Sequence, residues 1–242
     1  MIRAAAALAV ALCAPAVAPA QSADRAAQIT PYVWATGIGG SIRPLARGPE
    51  LEFDSAFSEV LEDLDGAFFV SGLVRQGRFV ALGDFSTSSS SRGGSLPPGL
   101  PAEGEVTQSS LTLAVGYRAQ ANPAWTIDFL AGARFWSLDA RLAVSALGVS
   151  ASRNVSFADP ILAARTRIGL AEDWSLIAYG DVGGFGVGSD QTGQIMATVN
   201  YAATDRLVLS AGYRQLRVDY QDEGATIDAT FSGPIFGVTV AF

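Results

Sequence analysis

The sequence predicts an all-β protein: a transmembrane antiparallel up-and-down β-barrel of about ten strands, with a short helix in its first long outer loop. Three observations carry this. Residues 234–242 read P-I-F-G-V-T-V-A-F, which puts Phe236, Val238, Val240 and Phe242 on one face of a strand and Ile235, Gly237, Thr239 and Ala241 on the other. A strand that runs to a terminal aromatic leaves an open edge, and barrel closure supplies its partner. Mean hydropathy is high at +0.28, yet after residue 12 no apolar run approaches the roughly 18–20 residues of a membrane helix. Apolar residues instead alternate with small or polar ones, as expected where one face meets lipid and the other a lumen. The connections also sort by length, short on one side of the barrel and longer on the other.

The N-terminus begins with Met1-Ile2-Arg3, an apolar run over 4–12 and the small-x-small pattern Ala18-Pro19-Ala20. This predicts a signal peptide over 1–20 and a barrel domain over 21–242. The apolar run is too short to span a bilayer and breaks near Pro15. The only cysteine, Cys13, lies within it. An acylated Cys13 would follow Leu12, where such sites usually carry Gly or Ala.

Strand-length segments follow at 28–42, 67–76, 78–88, 105–119, 125–144, 149–170, 174–188, 193–203, 207–220 and 225–242. In the first, Tyr32, Trp34 and Ile38 share a face. The clearest alternation sets Leu111, Leu113, Val115 and Tyr117 outward against Thr112, Ala114, Gly116 and Arg118 inward. Ile127, Phe129, Ala131, Ala133 and Phe135 face lipid in the next, as do Leu162, Ala164, Ile168 and Leu170 in the one after. Connections at Gly77, 121–123, 172–173 and 204–205 are short, as periplasmic turns should be. Those over 43–66 and 89–104 are long and polar or rich in Gly, Pro and Ser, as outer loops should be. Eight or twelve strands remain open, since each segment's signal is weak. Trp34, Trp125, Trp136 and Trp174 lie near strand ends or beside inferred interfaces and are expected in aromatic girdles, with ordinary barrel packing as the alternative.

The loop over 43–66 holds a helical pattern. Phe57, Val60, Leu61 and Leu64 share one face, and Ser58, Glu59, Glu62 and Asp63 the other. Asp54 or Ser55 would cap it and Gly66 would end it. Its acidic face disfavours an anionic membrane surface, so it is expected at the barrel mouth, covering a rim or gating it.

Composition excludes several chemistries. The chain has no histidine and, all sixteen basic residues being arginine, no lysine; its net charge is −7. No basic stripe is offered to nucleic acid. With residues 1–20 removed there is no cysteine, so disulfides are impossible. A metal site would rest on carboxylates and carbonyls, suiting Ca²⁺ or Mg²⁺ over Zn²⁺. The general base most suited to neutral pH is missing, so no catalytic residue, cofactor or metal is assigned. The glycine run 183–188 has no following helix to hold phosphate. Glu62-Asp63-Leu64-Asp65-Gly66 lacks EF-hand spacing. Asn154-Val155-Ser156 is a glycosylation pattern without meaning in a Gram-negative host.

Strand parity places Arg118, Asp128, Arg134, Arg165, Arg167, Asp181 and Arg214 in the lumen, with Arg75 and Asp84 alongside. Arginine's planar fork suits pairing with carboxylates. The charges form either a satisfied network filling a narrow barrel or the lining of a weakly anion-preferring pore. Ten strands leave a thin lumen at most, because about eight are filled by side chains and porins need about sixteen.

The runs W-S-L-I-A-Y-G-D-V-G-G-F-G-V-G-S-D at 174–190 and G-Y-R-Q-L-R-V-D-Y at 212–220 resemble a family of largely uncharacterised proteobacterial outer-membrane β-barrel proteins. Pro31-Tyr32-Val33-Trp34, Phe57-Ser58-Glu59-Val60-Leu61 and Asp159-Pro160 are similar too. The likeness covers most of residues 21–242 and is strongest in the C-terminal half. It implies a barrel in the outer membrane after Sec-type export, with lipid and lipopolysaccharide around it. It also implies that Phe236, Val238, Val240 and Phe242 are read by the barrel-assembly machinery. Tyr179 stands where relatives would carry a more polar lumen residue. The family brings no agreed ligand or reaction, and oligomeric state stays open. The expectation is a non-enzymatic outer-membrane barrel, narrow or closed, with an envelope-structural or surface-interaction role. The rivals are a porin-like small-solute channel of weak anion preference and a soluble or secreted β-barrel binder. The last would need a cover for its outward Leu, Val and Phe.

Overall fold

The computed structural model describes residues 25–43, 51–55, 57–96, 100–122, 124–144, 148–222 and 225–242. The expected signal peptide and its cleavage site lie outside them. In chain order the elements are β1 (Arg25–Trp34), β2 (Gly37–Arg43), β3 (Leu51–Ser55), α1 (Phe57–Asp63), β4 (Leu64–Gln76), β5 (Phe79–Leu96) and β6 (Leu100–Ala121). There follow β7 (Trp125–Val144), β8 (Val149–Gly169), β9 (Trp174–Gly184), β10 (Gln191–Ala202), β11 (Leu207–Asp222) and β12 (Ala225–Ala241). β1 and β4 to β12 form a closed antiparallel barrel of ten strands, with β2 and β3 outside it.

Closure is made by the C-terminal strand. β12 pairs with β1 from Gln28↔Ala241 to Trp34↔Ile235, and the Phe242 amide donates to the Ala27 carbonyl at 2.8 Å. The open edge of the last strand is thereby satisfied within the chain. Short turns join the strands at the same end as the termini. Gly77, at φ 58°, occupies the left-handed region in the β4–β5 turn, where a β-carbon would be strained. The Asn122 side chain accepts from the Ala124 and Trp125 amides, each at 2.9 Å, and so fixes the β6–β7 turn. The wall bends where inward glycines let strands approach closely. A β-carbon at Gly116 would lie 2.0 Å from the Phe129 carbonyl oxygen, and one at Gly132 2.0 Å from that of Leu113.

At the β1–β4 seam the two ends of the barrel differ. β1 pairs with β4 from Arg25↔Gln76 only as far as Pro31↔Val70. Beyond a break at Ala35 and Thr36, the chain continues as β2 along β12 and takes β3 on its other edge. Among the described residues no pairing joins β3 to β4. Residues 64–69 of β4 therefore pair with β5 alone, and α1 bridges the gap between β3 and β4.

The outer surface is an apolar band. Val33, Phe68, Leu113, Val115, Phe129, Phe135, Leu162, Val182, Ile195, Leu209 and Phe236 are all exposed, the kind of apolar outer face that membrane barrels carry. The lumen holds one cluster of buried apolar residues around Leu73, Val80, Leu130 and Tyr179. A second, nearer the outer mouth, surrounds Trp34, Trp136, Tyr220 and Phe231.

Four expectations are corrected. The segment 28–42 is interrupted, because it serves β4 with its first half and the β2–β3 hairpin with its second. The loop expected over 89–104 is mostly strand: β5 and β6 stay paired to Leu96↔Leu100. Beyond the membrane a ladder needs backbone hydrogen bonds but no apolar face, so Ser and Gly did not prevent it. The helix ends at Asp63, and Leu64 and Gly66 belong to β4. The strand from 174 ends at Gly184, and Phe185 (φ 51°) and Gly186 (φ 71°) turn the chain.

Candidate functional site

Inward parity brings most of the lumen charges together in two groups. Asp128 of β7 is fully buried, and Arg118 of β6 grips it with both ends of its guanidinium, Nε at 2.6 Å and Nη2 at 3.0 Å. Arg165 of β8 reaches the same carboxylate at 3.5 Å. These are register neighbours on adjacent strands, so the group lies against one wall.

The second group spans the lumen. Arg134 of β7, wholly buried, donates to both carboxylate oxygens of Asp181 on β9 at 3.1 and 2.6 Å, and to Thr192 on β10 at 3.2 Å. Its Nε donates to Thr112 on β6 at 3.1 Å. From the other side, Arg214 of β11 donates to the Tyr32 hydroxyl of β1 at 2.6 Å, to Asp84 of β5 at 3.0 Å and to Gln194 of β10 at 2.7 Å. Tyr32 in turn donates to Asp84 at 3.0 Å. Gln194 and Asp181 are register partners, so the two arginine sets adjoin. Both aspartates hold charge-assisted bonds from arginine, the stronger class of hydrogen bond.

Two cavities flank this layer and share no lining residue. The periplasmic one is about 110 Å³, with Thr30, Ser71, Thr198, Asn200 and Ser210 among its walls. The outer one is about 370 Å³ and mostly apolar, walled by Trp136, Phe157, Val218, Tyr220, Ile227 and Phe231. Trp136 stacks on Phe157 at 6.0 Å, and Phe157 on Tyr220 at 4.4 Å. Between layer and chamber, Trp34 lies over the Arg214 guanidinium at 4.6 Å, a cation–π contact.

Not every sequence-predicted residue joins. Arg167 shares the parity of Arg165 but is exposed at the periplasmic end. Arg75 is half-buried and donates to the Gly77 carbonyl at 2.9 Å. Trp34 and Trp136 are not girdle residues: both are buried in the lumen, on the faces of Tyr32 and Arg134 respectively. Trp125 and Trp174 are exposed at the periplasmic end, where Trp174 packs on Tyr201 at 4.9 Å. Phe236, Val238 and Phe242 point outward and are exposed, and Val240 is half-buried. Among the described residues no cluster of metal ligands occurs.

Sequence reasoning placed Thr112 inward without giving it a role and missed Thr192 and Gln194; all three face the lumen but carry no charge to flag them. It also missed the role of Asp159. That residue is fully buried and its Oδ1 accepts from the Ser189 amide at 2.6 Å, tying the β9–β10 turn to β8.

No family model matches the sequence, nor does any curated protein. Among solved structures, the outer membrane protease OmpT from Escherichia coli is similar, with 12% identity and a TM-score of 0.53 over 90% of this chain and 97% of that one. The attachment invasion locus protein Ail of Yersinia pestis aligns at 12% identity and TM-score 0.38, covering 90% of this chain and 99% of its own. Neisserial surface protein A does so at 12% and 0.35, covering 90% and 97%. The OmpT likeness is one of fold. Closed wall, lipid-facing band and that likeness together give this chain the fold of the outer-membrane β-barrel proteins.

Proposed function

We propose that this is a non-enzymatic outer-membrane barrel with a closed lumen, acting in envelope structure or surface interaction and not as a porin. One observation carries the reading: Arg134 and Arg214 cross the lumen in fully paired, buried positions, and the cavities on either side have no wall residue in common. An ion crossing the barrel would have to pass this layer, in which the Arg134 and Asp181 side chains are paired and both 0% exposed. Breaking such a pair costs about 3–5 kcal/mol.

The non-enzymatic reading rests on chemistry. OmpT is a protease, but this chain has no histidine to serve as a neutral-pH base. Asp128 and Asp181 are already held by arginines, and Asp159 is held by a backbone amide through Oδ1, its Oδ2 being buried without a partner. The terminal strand is proposed as the segment read by the barrel-assembly machinery, with Phe242 at its end.

Planar-bilayer recording of the folded protein tests closure. The expected record is flat. Stable single-channel steps whose ion selectivity changes with Asp128→Asn or Asp181→Asn, at unchanged thermal stability, would make the protein a channel instead.

A further inference from the structure

We propose that the outer chamber is a binding site for a small, flat, uncharged apolar molecule that carries a hydrogen-bond acceptor such as a carbonyl oxygen. Its volume of about 370 Å³ falls in the range of sites that enclose small organic ligands. Protein interiors normally close voids of this size. Here the aromatic side chains stack on one another along the wall and the space beside them stays open.

The wall sets the shape of the ligand. Trp136, Phe157 and Tyr220 form a continuous stack, with interplanar angles of 25° and 18°. Ile227 and Phe231 on β12 continue this wall, Ile227 being the register partner of Tyr220, and Ile38 and Val106 also line the chamber. Phe157 and Tyr220 cover each other's faces, so a planar body placed against the stack meets ring edges or an end ring, and both edge-to-face and offset contacts are favoured between aromatic groups.

Polar chemistry sets the rest. The Trp136 indole nitrogen is buried and has no acceptor, and an indole can only donate. Trp136 lines the chamber and its nitrogen is closed off from the open space, so a ligand oxygen meets this unmatched donor when the ring turns toward it. The rim selects against anions. Asp63 is among the lining residues, and Asp65, Glu103 and Glu105 stand with Arg141 around the adjoining outer cavity. A carboxylate would enter against this net negative charge; a ketone or ester would not. This site stands whether or not the layer beneath it conducts.

The probe is 6-propionyl-2-(dimethylamino)naphthalene, a flat neutral ketone that accepts energy from tryptophan. It is titrated into the folded, detergent-solubilised full barrel carrying Trp125→Phe and Trp174→Phe, so that emission comes from Trp34 and Trp136. The expected result is saturable transfer at one probe per barrel. Ala140→Phe, which fills the chamber from β7, should abolish it. Trp136→Phe, which keeps a ring but removes the N–H, should weaken binding, read by probe emission, about tenfold. The anion 2-naphthoate should compete at least tenfold less well than 2-acetylnaphthalene. Each variant is first shown to keep heat-modifiable migration, so a folding failure is not scored as lost binding. Transfer no greater than in protein-free micelles, or affinity unchanged by Ala140→Phe or by Trp136→Phe, would overturn the assignment. Equal competition by the two naphthyl compounds would overturn the preference for an uncharged ligand.

Discussion

The periplasmic and outer halves of this barrel are built from the same strands but solve different problems. In the periplasmic half the wall is closed all round. Its lumen holds the apolar cluster around Leu73 and Leu130 beside hydrogen-bonded polar groups such as Asn200, Ser210 and Thr198, with a cavity of about 110 Å³ among them. In the outer half β1 has left β4, β2 and β3 extend the sheet elsewhere, and the lumen is aromatic and partly empty. The Arg134–Asp181 and Arg214–Asp84 pairs mark the boundary. On the proposed reading closure is local, placed by a few long side chains at mid-barrel, and the strands above it are free to frame a chamber.

The largest expected effect follows from removing one charge at the boundary. Asp181→Asn leaves Arg134 buried without its carboxylate and should cost about 3–5 kcal/mol, read as a lower temperature for the gel-mobility shift on heating. Asp228→Asn, whose partner Arg217 is 62% exposed, should cost at most about 1 kcal/mol. Equal losses at the two sites would remove the distinction between boundary and rim.

The termini offer the next contrast. Phe242 is exposed on the outer surface at the periplasmic edge, where even an added charge costs only about 0–1 kcal/mol. Deleting it, or Phe242→Asp, should nevertheless lower outer-membrane levels strongly if the terminal strand is an assembly signal. Normal levels of the truncated protein would show that Phe242 acts only by contact with lipid.

The seam itself can be sharpened by hydrogen exchange. On the outer side of Val70 the alternate β4 amides that point away from β5 have no β1 partner and should exchange about tenfold faster or more than the β1-directed amides between Gly72 and Gln76. Uniform protection along β4 would mean that something else covers the seam.

A smaller effect sits at the outer rim. Asp219 faces Asp228 across the β11–β12 ladder; burial first, then the charges of Asp228 and Asp190, raise its carboxyl above the ordinary range against the pull of Arg217. A raised carboxyl binds more protons folded than unfolded, so this group weakens the rim as pH rises through its folded value. Asp219→Asn should therefore slow rim opening slightly above the carboxylate range and make no difference well below it. Exchange rates of β11 and β12 rim amides at the two pH values test this.

Most of the wall was legible because its signal has period two. Leu113, Val115, Phe129 and Leu162 were placed outward from alternation alone, and the same parity put Asp128, Arg134, Asp181 and Arg214 inward. Parity also held the information that was misread: Trp136 is two residues from Arg134 and shares its face, yet position near a strand end suggested a girdle. The pairing was not legible. Arg134 meets Asp181 and Arg214 meets Asp84 across the lumen, where hydrogen-bond register gives no guide. The β1–β2 break was hidden as well, since it depends on which of two neighbours claims the strand.

The claim that ties these observations together is that the arginine layer separates two chambers. It is tested most directly by single cysteines, since the sequence's only other cysteine is Cys13. Ser90→Cys stands in the outer chamber and Thr198→Cys in the periplasmic cavity. In intact cells, a charged, membrane-impermeant thiol reagent added outside should label Ser90→Cys and leave Thr198→Cys unlabelled. Adding Arg134→Ala with Asp181→Ala should open the second site to the reagent. Equal labelling of both cysteines in the otherwise native barrel would contradict the closed lumen outright.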